Sequence, residues 1–239
     1  MNAIKTKELL VEQIKQFFQK QGKSKAVIGL SGGIDSAVVL SLLCKTLGAK
    51  QVTAILMPNT KTTKKTSTSD AENLAKKLNC NYFIMPIDKI INSFSKLPWE
   101  QKPIAKANIC ARIRANILYN YANSFESLVV GTDNKTEYYL GYFTKYGDGA
   151  ADFFPIINLL KTEVRELAKE LGLPSCFLEK APSAELWENQ EDEKELGLTY
   201  ETIDSLLPLI LEEKETPINQ KEAVKKIKEL IKKSEHKRK

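Results

Sequence analysis

The sequence predicts an α/β chain: a doubly wound parallel sheet with helices on both faces, followed by a helical C-terminal segment. Three observations predict it. Short β-rich runs, "KAVIGL" (25–30), "QVTAILMP" (51–58), "NYFIMPI" (81–87) and "SLVVGT" (127–132), alternate with helical patterns, and such alternation implies parallel strands joined by helical crossovers. The first run passes through a glycine turn straight into an apolar stretch that fits a buried helix. The length of 239 residues suits one substantial core, and no apolar run approaches a membrane span.

Taken in chain order, "MNAIKTKELLVEQIKQFF" spaces Leu10, Ile14, Phe17 and Phe18 as an amphipathic helix, unlike a signal peptide, so a cytoplasmic protein is expected. The strand over 25–30 leads into a helix marked by Ala37, Val38, Leu40, Leu42 and Leu43. After the second strand, the lysine- and threonine-rich "NTKTTKKTSTSD" (59–70) reads as a mobile loop, with a helix starting near Ser69. A long helix is predicted over 102–123, with Ile109, Ile113, Ile117 and Tyr121 on one face; its Arg112 and Arg114 then require a partner or solvent. In "KEAVKKIKELIKK" the stripe of Val224, Ile227, Leu230 and Ile231 predicts a docked helix, started by Thr216 and Pro217. Ligands of open parallel sheets gather at the carboxyl ends of the strands, which puts the loops after Leu30 and Val130 on one rim.

Charge and rare residues exclude several function classes. The net charge of +6 lies entirely in the last nineteen residues, where a lysine-rich helix face suffices to explain it; without an aromatic stacking platform, no nucleic-acid partner is expected. Cys44, Cys80, Cys110 and Cys176 lie far apart with no C-x-x-C, which argues against zinc, iron–sulfur and redox sites and for buried free thiols. His236 is the single histidine, so a Ser-His-Asp triad or a multi-histidine metal centre has no material.

The chemistry starts at "GLSGGIDS", Gly29, Leu30, Ser31, Gly32, Gly33, Ile34, Asp35 and Ser36. A strand-loop-helix junction leaves the first helical N–H groups unpaired at a positive dipole end, a ready site for phosphate. Glycines allow close backbone approach and the serines add hydroxyl donors. A carboxylate at Asp35 would repel phosphate unless a hard cation such as Mg²⁺ lies between them. Read alone, the six residues Ser-Gly-Gly-Ile-Asp-Ser leave open a plainer alternative, a βα turn in which serine and aspartate cap the helix. Neither a Walker lysine loop nor a G-x-G-x-x-G fingerprint is present, which disfavours ordinary kinases, GTPases and Rossmann dehydrogenases.

The glycine loop resembles the pyrophosphate loop of ATP pyrophosphatases. "GTDNKTEYYLGYFTKYGDGAADFFPIINLLKTEVREL" (131–167), "KAPSAELWENQEDEKELGLTYETID" (180–204) and the terminal "HKR" (236–238) are similar to the ammonia-dependent NAD synthetase family, over nearly the whole chain. The resemblance implies an adenine-nucleotide alpha-hydrolase-like fold in a single domain over residues 1–239, with no glutaminase domain and free ammonia as nitrogen donor. It implies amidation of deamido-NAD (nicotinic acid adenine dinucleotide) through an acyl-adenylate, giving NAD, AMP and pyrophosphate. It also implies residue roles. Gly29 to Ser36, Thr132, Lys161 and Ser183 bind ATP; Asp35 and Glu137 hold Mg²⁺; Arg112, Lys145, Asp152, His236 and Lys237 bind deamido-NAD. Asp35, Glu137, Lys161 and Asp152 form the catalytic set, and a homodimer with the long helix at its interface is implied as well. The competing readings are a nucleotide sensor without turnover, disfavoured by Asp35, Glu137 and Lys161, and a nucleic-acid binder supported by the basic tail alone.

Overall fold

A computed structural model describes residues 2–183, 185, 187 and 190–238. The order is α1 (Ala3–Lys20), β1 (Lys25–Gly29), α2 (Ile34–Leu47), β2 (Val52–Leu56), α3 (Lys65–Lys77), β3 (Asn81–Ile84), α4 (Asp88–Ser93), α5 (Pro103–Phe125) and β4 (Ser127–Val130). It continues with α6 (Lys135–Leu140), α7 (Lys161–Glu170), α8 (Ser175–Leu178), α9 (Asp192–Leu196), α10 (Tyr200–Leu211) and α11 (Lys221–Lys233). Among the described residues the strands form one parallel sheet of order β3-β2-β1-β4, with Ala26 paired to Val52 on one side and to Leu128 on the other. The predicted doubly wound sheet and C-terminal helical segment are both present.

Alternate residues of each strand point to opposite faces, which divides the core in two. Ala26 and Ile28 of β1 pack with Leu10, Ile14 and Phe18 of α1, Val38 and Leu42 of α2, and Val164 of α7. Val27 between them faces the other way, onto Cys110, Ile113 and Leu118 of α5. The order in which parallel strands are added therefore reverses at β1: β1, β2 and β3 are added toward one edge, and α5 carries the chain back across the second face to β4 beside β1. That switch point opens a crevice above β1. A third apolar cluster joins Leu140 to Tyr200, Ile203 and Leu207 of α10 and Val224 and Ile227 of α11, so the C-terminal helices close one side of the crevice.

Local chemistry explains the ends of these elements. Asn2 and Thr199 accept N–H bonds from Lys5 and Thr202 at the starts of α1 and α10, and Pro103 opens α5, where its missing N–H costs nothing. The helix expected near Ser69 begins four residues earlier, at Lys65, and the one expected from Thr216 and Pro217 begins at Lys221 after a 3₁₀ turn. Only Cys80 and Cys110 are buried; Cys44 is half-buried and Cys176 exposed, so the expectation of four buried thiols holds for two. Among the described residues no helix is long and apolar enough to cross a membrane.

Candidate active site

The crevice is a cleft of about 710 Å³ above the carboxyl ends of β1 and β4. The glycine loop forms its floor. Gly32 adopts φ +83°, and a Cβ there would lie 2.2 Å from the carbonyl oxygen of Ser67, so only glycine lets α3 pass this close. The serines set the loop's shape: Ser36 Oγ accepts from the Ser31 N–H at 3.3 Å and donates to the Gly33 carbonyl at 3.0 Å, while Ser31 Oγ accepts from the Gly33 N–H at 3.2 Å. No side chain caps α2, so the capping reading of Ser-Gly-Gly-Ile-Asp-Ser does not hold and the first-turn N–H groups lie at the cleft floor.

Asp35 is turned to a different partner. Lys161 Nζ, 126 residues away in sequence, lies 2.6 Å from Asp35 Oδ2 and 2.8 Å from Glu137 Oε1. Asn134 closes the arrangement: its amide donates to Asp35 Oδ1 at 2.9 Å, and its Oδ1 caps α6 by accepting the Glu137 N–H at 3.0 Å. Three segments thus deliver one cation and two carboxylates to one point. Lys161 is 3% exposed and its ammonium lies 5.3 Å from the centroid of the Tyr200 ring. Burial alone would lower its pKa, but the fields and hydrogen bonds of Asp35 and Glu137 outweigh this and raise it, so the lysine stays charged. Burial is also the main cause that raises Glu137 to about 7; Asp35 adds to the shift and Lys161 opposes it. Asp133, buried beside Asp148, Glu137 and Asp35, is raised well above the usual carboxylate range by burial first and those charges next.

The site is braced from α10. Asp204 accepts from Thr136 Oγ1 at 2.6 Å and from the Thr162 N–H at 2.7 Å, and Thr136 Oγ1 in turn accepts the Lys161 N–H at 3.0 Å. One buried carboxylate therefore ties the helices that carry Glu137 and Lys161. The second loop reaches the glycine loop through Lys180, whose Nζ donates to the Gly32 carbonyl at 3.3 Å and to Ser67 Oγ at 2.5 Å and pairs with Glu185 at 3.2 Å.

The residues predicted from sequence divide into two groups. Gly29, Leu30, Ser31, Gly33, Ile34, Asp35, Ser36, Thr132, Glu137, Lys161, Ser183, His236 and Lys237 all line the cleft, and Gly32 lies in its floor loop. Arg112, Lys145 and Asp152 do not line it. Arg112 is exposed and its Nε donates to the Lys145 carbonyl at 3.3 Å, while Asp152 Oδ2 accepts the Val129 N–H at 2.8 Å beside Tyr119 of α5. The tail is docked: Lys237 Nζ donates to the Gly141 and Phe143 carbonyls at 2.7 and 2.8 Å, Arg238 to the Tyr139 carbonyl at 2.8 Å, and Lys145 Nζ to the His236 carbonyl at 2.7 Å. Gly141, at φ +69°, makes room for it, since a Cβ there would fall 1.9 Å from Ser234 Cβ. Sequence reasoning missed Asn134, Thr136 and Asp204. The first carries a readable signal, a helix-capping residue three places before a glutamate; the other two carry none.

Whether the residues fit Mg²⁺ can be tested on the donor set. Two hard carboxylates converge on one ammonium beside the glycine loop, 16% and 15% exposed. A pair of carboxylates is a donor set of the kind Mg²⁺ takes, since it uses one or two carboxylates and completes its shell with phosphate oxygens and water. The residues fit.

Comparison with known proteins agrees with this geometry. A profile described as NAD synthase matches residues 6–239. An NH(3)-dependent NAD(+) synthetase of Archaeoglobus fulgidus is 42% identical over 238 residues, covering 100% of this chain and 95% of that protein. Among solved structures, an NMN synthetase from Francisella tularensis superposes with a TM-score of 0.90 at 39% identity, covering 100% of this chain and 97% of that one. An NH3-dependent NAD synthetase from Campylobacter jejuni superposes at 0.87 and 34%, over 100% of this chain and 97% of that one. An uncapped glycine loop, a lysine shared by two carboxylates and a match along the whole chain lead to one conclusion: the chain belongs to the NAD synthase family.

Proposed function

We propose that this chain is an ammonia-dependent ligase that amidates the nicotinate carboxylate of deamido-NAD at the expense of ATP, acting as a single domain. The observation that carries the proposal is Lys161 held at 2.6 and 2.8 Å from Asp35 and Glu137 at the mouth of the uncapped glycine loop. In the first step a carboxylate oxygen attacks the α-phosphorus of ATP, the bond from that phosphorus to the β-bridging oxygen breaks, and pyrophosphate leaves with the electron pair. In the second, ammonia attacks the acyl carbon, loses a proton, and AMP departs.

The protein's task is to neutralise and align rather than to exchange protons. The α2 N-terminus and the hydroxyls of Ser31 and Ser36 grip the β and γ phosphates. Lys161 adds a charge that the fields of Asp35 and Glu137 keep from being lost despite its burial, and Thr132 and Ser183 border the nucleotide. Mg²⁺, when bound by Asp35 and Glu137, supplies charge neutralisation on the polyphosphate. Asn134 and Lys161 hold both carboxylates in place for it.

Arg112, Lys145 and Asp152 meet deamido-NAD where a second copy of the chain completes the site, and Asp152 belongs to the catalytic set on that account. The apolar surface beyond α5 supports a homodimer: Phe83 is 53% exposed and lies at a tilt against Tyr121, which stacks with Phe125, itself 52% exposed. The free thiols fit a cytoplasmic setting.

The test is product analysis. Purified protein, ATP, Mg²⁺, ammonium and deamido-NAD are expected to yield NAD, AMP and pyrophosphate, faster as pH raises the fraction of neutral ammonia. ADP in place of AMP would overturn the proposal. Because the Francisella tularensis structure is named an NMN synthetase, the assay also offers nicotinate mononucleotide; preference for it would move the acceptor from dinucleotide to mononucleotide and keep the chemistry.

A further inference from the structure

Arg114 is a cation in the cleft that the groups above leave uncommitted. It lines the cleft, and its Nε donates to the Met57 carbonyl at 3.0 Å, at the end of β2. Among the described residues no carboxylate pairs with it and nothing accepts from its two Nη groups. Burial works against its charge, with the fields of Cys110, Asp148 and Glu185 acting the other way. A guanidinium has five N–H donors in a rigid fork suited to phosphate, and four of these remain.

The position narrows the ligand. Leu118, four residues on and hence one turn lower on the same face of α5, lies where a Cβ on Gly29 would be 3.5 Å from its Cδ1. Ala111, three residues earlier, lies beneath Gly147, and Asn108 accepts from Thr144 at 2.8 Å. Arg114 therefore stands about one turn, roughly 5.4 Å, above the start of the phosphate loop and below the 144–148 loop, midway along the cleft. A substrate extending from one loop to the other passes Arg114, which lines the cleft between them.

We infer that Arg114 holds the α-phosphoryl group of ATP, and then of the acyl-adenylate, through its Nη donors. The inference rests on the function proposed above. In that reaction two anions, the acceptor carboxylate and the α-phosphate, must come into bonding contact. Lys161 divides its charge between Asp35 and Glu137, and Arg114 adds neutralising charge at the reacting phosphorus. The fork binds the two non-bridging oxygens, opposes the repulsion as the carboxylate approaches, and stabilises AMP as it leaves in the second step.

The experiment uses the full chain with Arg114→Gln and Arg114→Lys, assayed by acceptor-dependent exchange of labelled pyrophosphate into ATP without ammonia. Both variants are also tested with the two diastereomers of ATPαS, which place sulfur on one or the other non-bridging position. Exchange is expected to fall by about 10²- to 10³-fold in Arg114→Gln, as for loss of a transition-state donor, with the preference between diastereomers reduced at least tenfold. Arg114→Lys is expected to recover part of the exchange while the preference stays reduced, because a point charge lacks the fork. A role confined to bracing Met57 would lower stability and leave the diastereomer preference as in the parent chain. That unchanged preference, in whichever variant folds, overturns the inference. Failure of the parent chain to form AMP and pyrophosphate would instead remove the proposed function.

Discussion

Asp204→Asn tests whether the reacting groups depend on a brace outside the cleft. Asp204 is 6% exposed and accepts two short bonds, 2.6 Å from Thr136 and 2.7 Å from the Thr162 N–H at the start of α7. Asparagine keeps one acceptor oxygen, puts an NH₂ where the second stood, and removes the negative charge from a helix N-terminus. Two hydrogen bonds to a charged group, worth about 1.5–3 kcal/mol each, give way to one neutral bond of about 1, so the net loss is about 2–5 kcal/mol. For a chain of this size that corresponds to a fall in Tm of about 4–20 °C. Denaturant unfolding gives the free energy, and a cycle with Thr136→Val gives the coupling, expected above about 1 kcal/mol because both residues share one network. Turnover is expected to fall beyond the stability loss, since the Lys161 N–H hangs from Thr136 and a shift of about 1 Å in a reacting group costs on the order of 10²-fold. Additive single-mutant effects, with normal turnover in the folded fraction, would refute the brace.

Three further outcomes are expected. Gly32→Ala must strain a backbone at φ +83° and push a methyl to within 2.2 Å of the Ser67 carbonyl, so ATP binding followed by calorimetry should be lost; wild-type affinity would contradict the packing. Glu137 is raised from 4.5 to about 7, so across that window the folded state holds a proton that the unfolded state has released, and stability should fall as pH rises through it. Glu137→Gln should flatten that fall, and Mg²⁺ affinity of the parent chain should increase with pH up to about 7; a pH-independent Mg²⁺ affinity would count against the shift. Deleting Ser234 onward removes the bonds of Lys237 and Arg238 to the 139–143 carbonyls, so KM for deamido-NAD should rise about tenfold to a hundredfold while KM for ATP changes less than about threefold. Equal effects on both would leave the tail a stability element.

The fold was legible because its signals are local. Each strand is a short β-rich run followed by a helix, and the rim shared by the loops after Leu30 and Val130 follows from parallel order alone. Helix starts were less legible: Lys65 opens α3 four residues before the expected Ser69, in a first turn without a side-chain cap that packs against the distant Gly32. Asp35, Glu137 and Lys161 stood out as chemistry, yet their sharing of one ammonium did not, since Asp35 and Lys161 are 126 residues apart.

By itself the sequence determined the layered α/β order, the glycine loop and the family, because these rest on residue patterns that neighbouring positions enforce. Only the tertiary structure decided which charges meet. It turned Asp35 to Lys161 instead of to the helix it opens, set Asp204 beneath both site helices, put Arg112, Lys145 and Asp152 outside the cleft, and left the Arg114 fork free within it. The physical reason is range. Propensity and capping act over a few residues, whereas the partner of a buried charge is whatever the crossing of α5 and the docking of α10 bring to within hydrogen-bonding distance, and no local pattern records that distance.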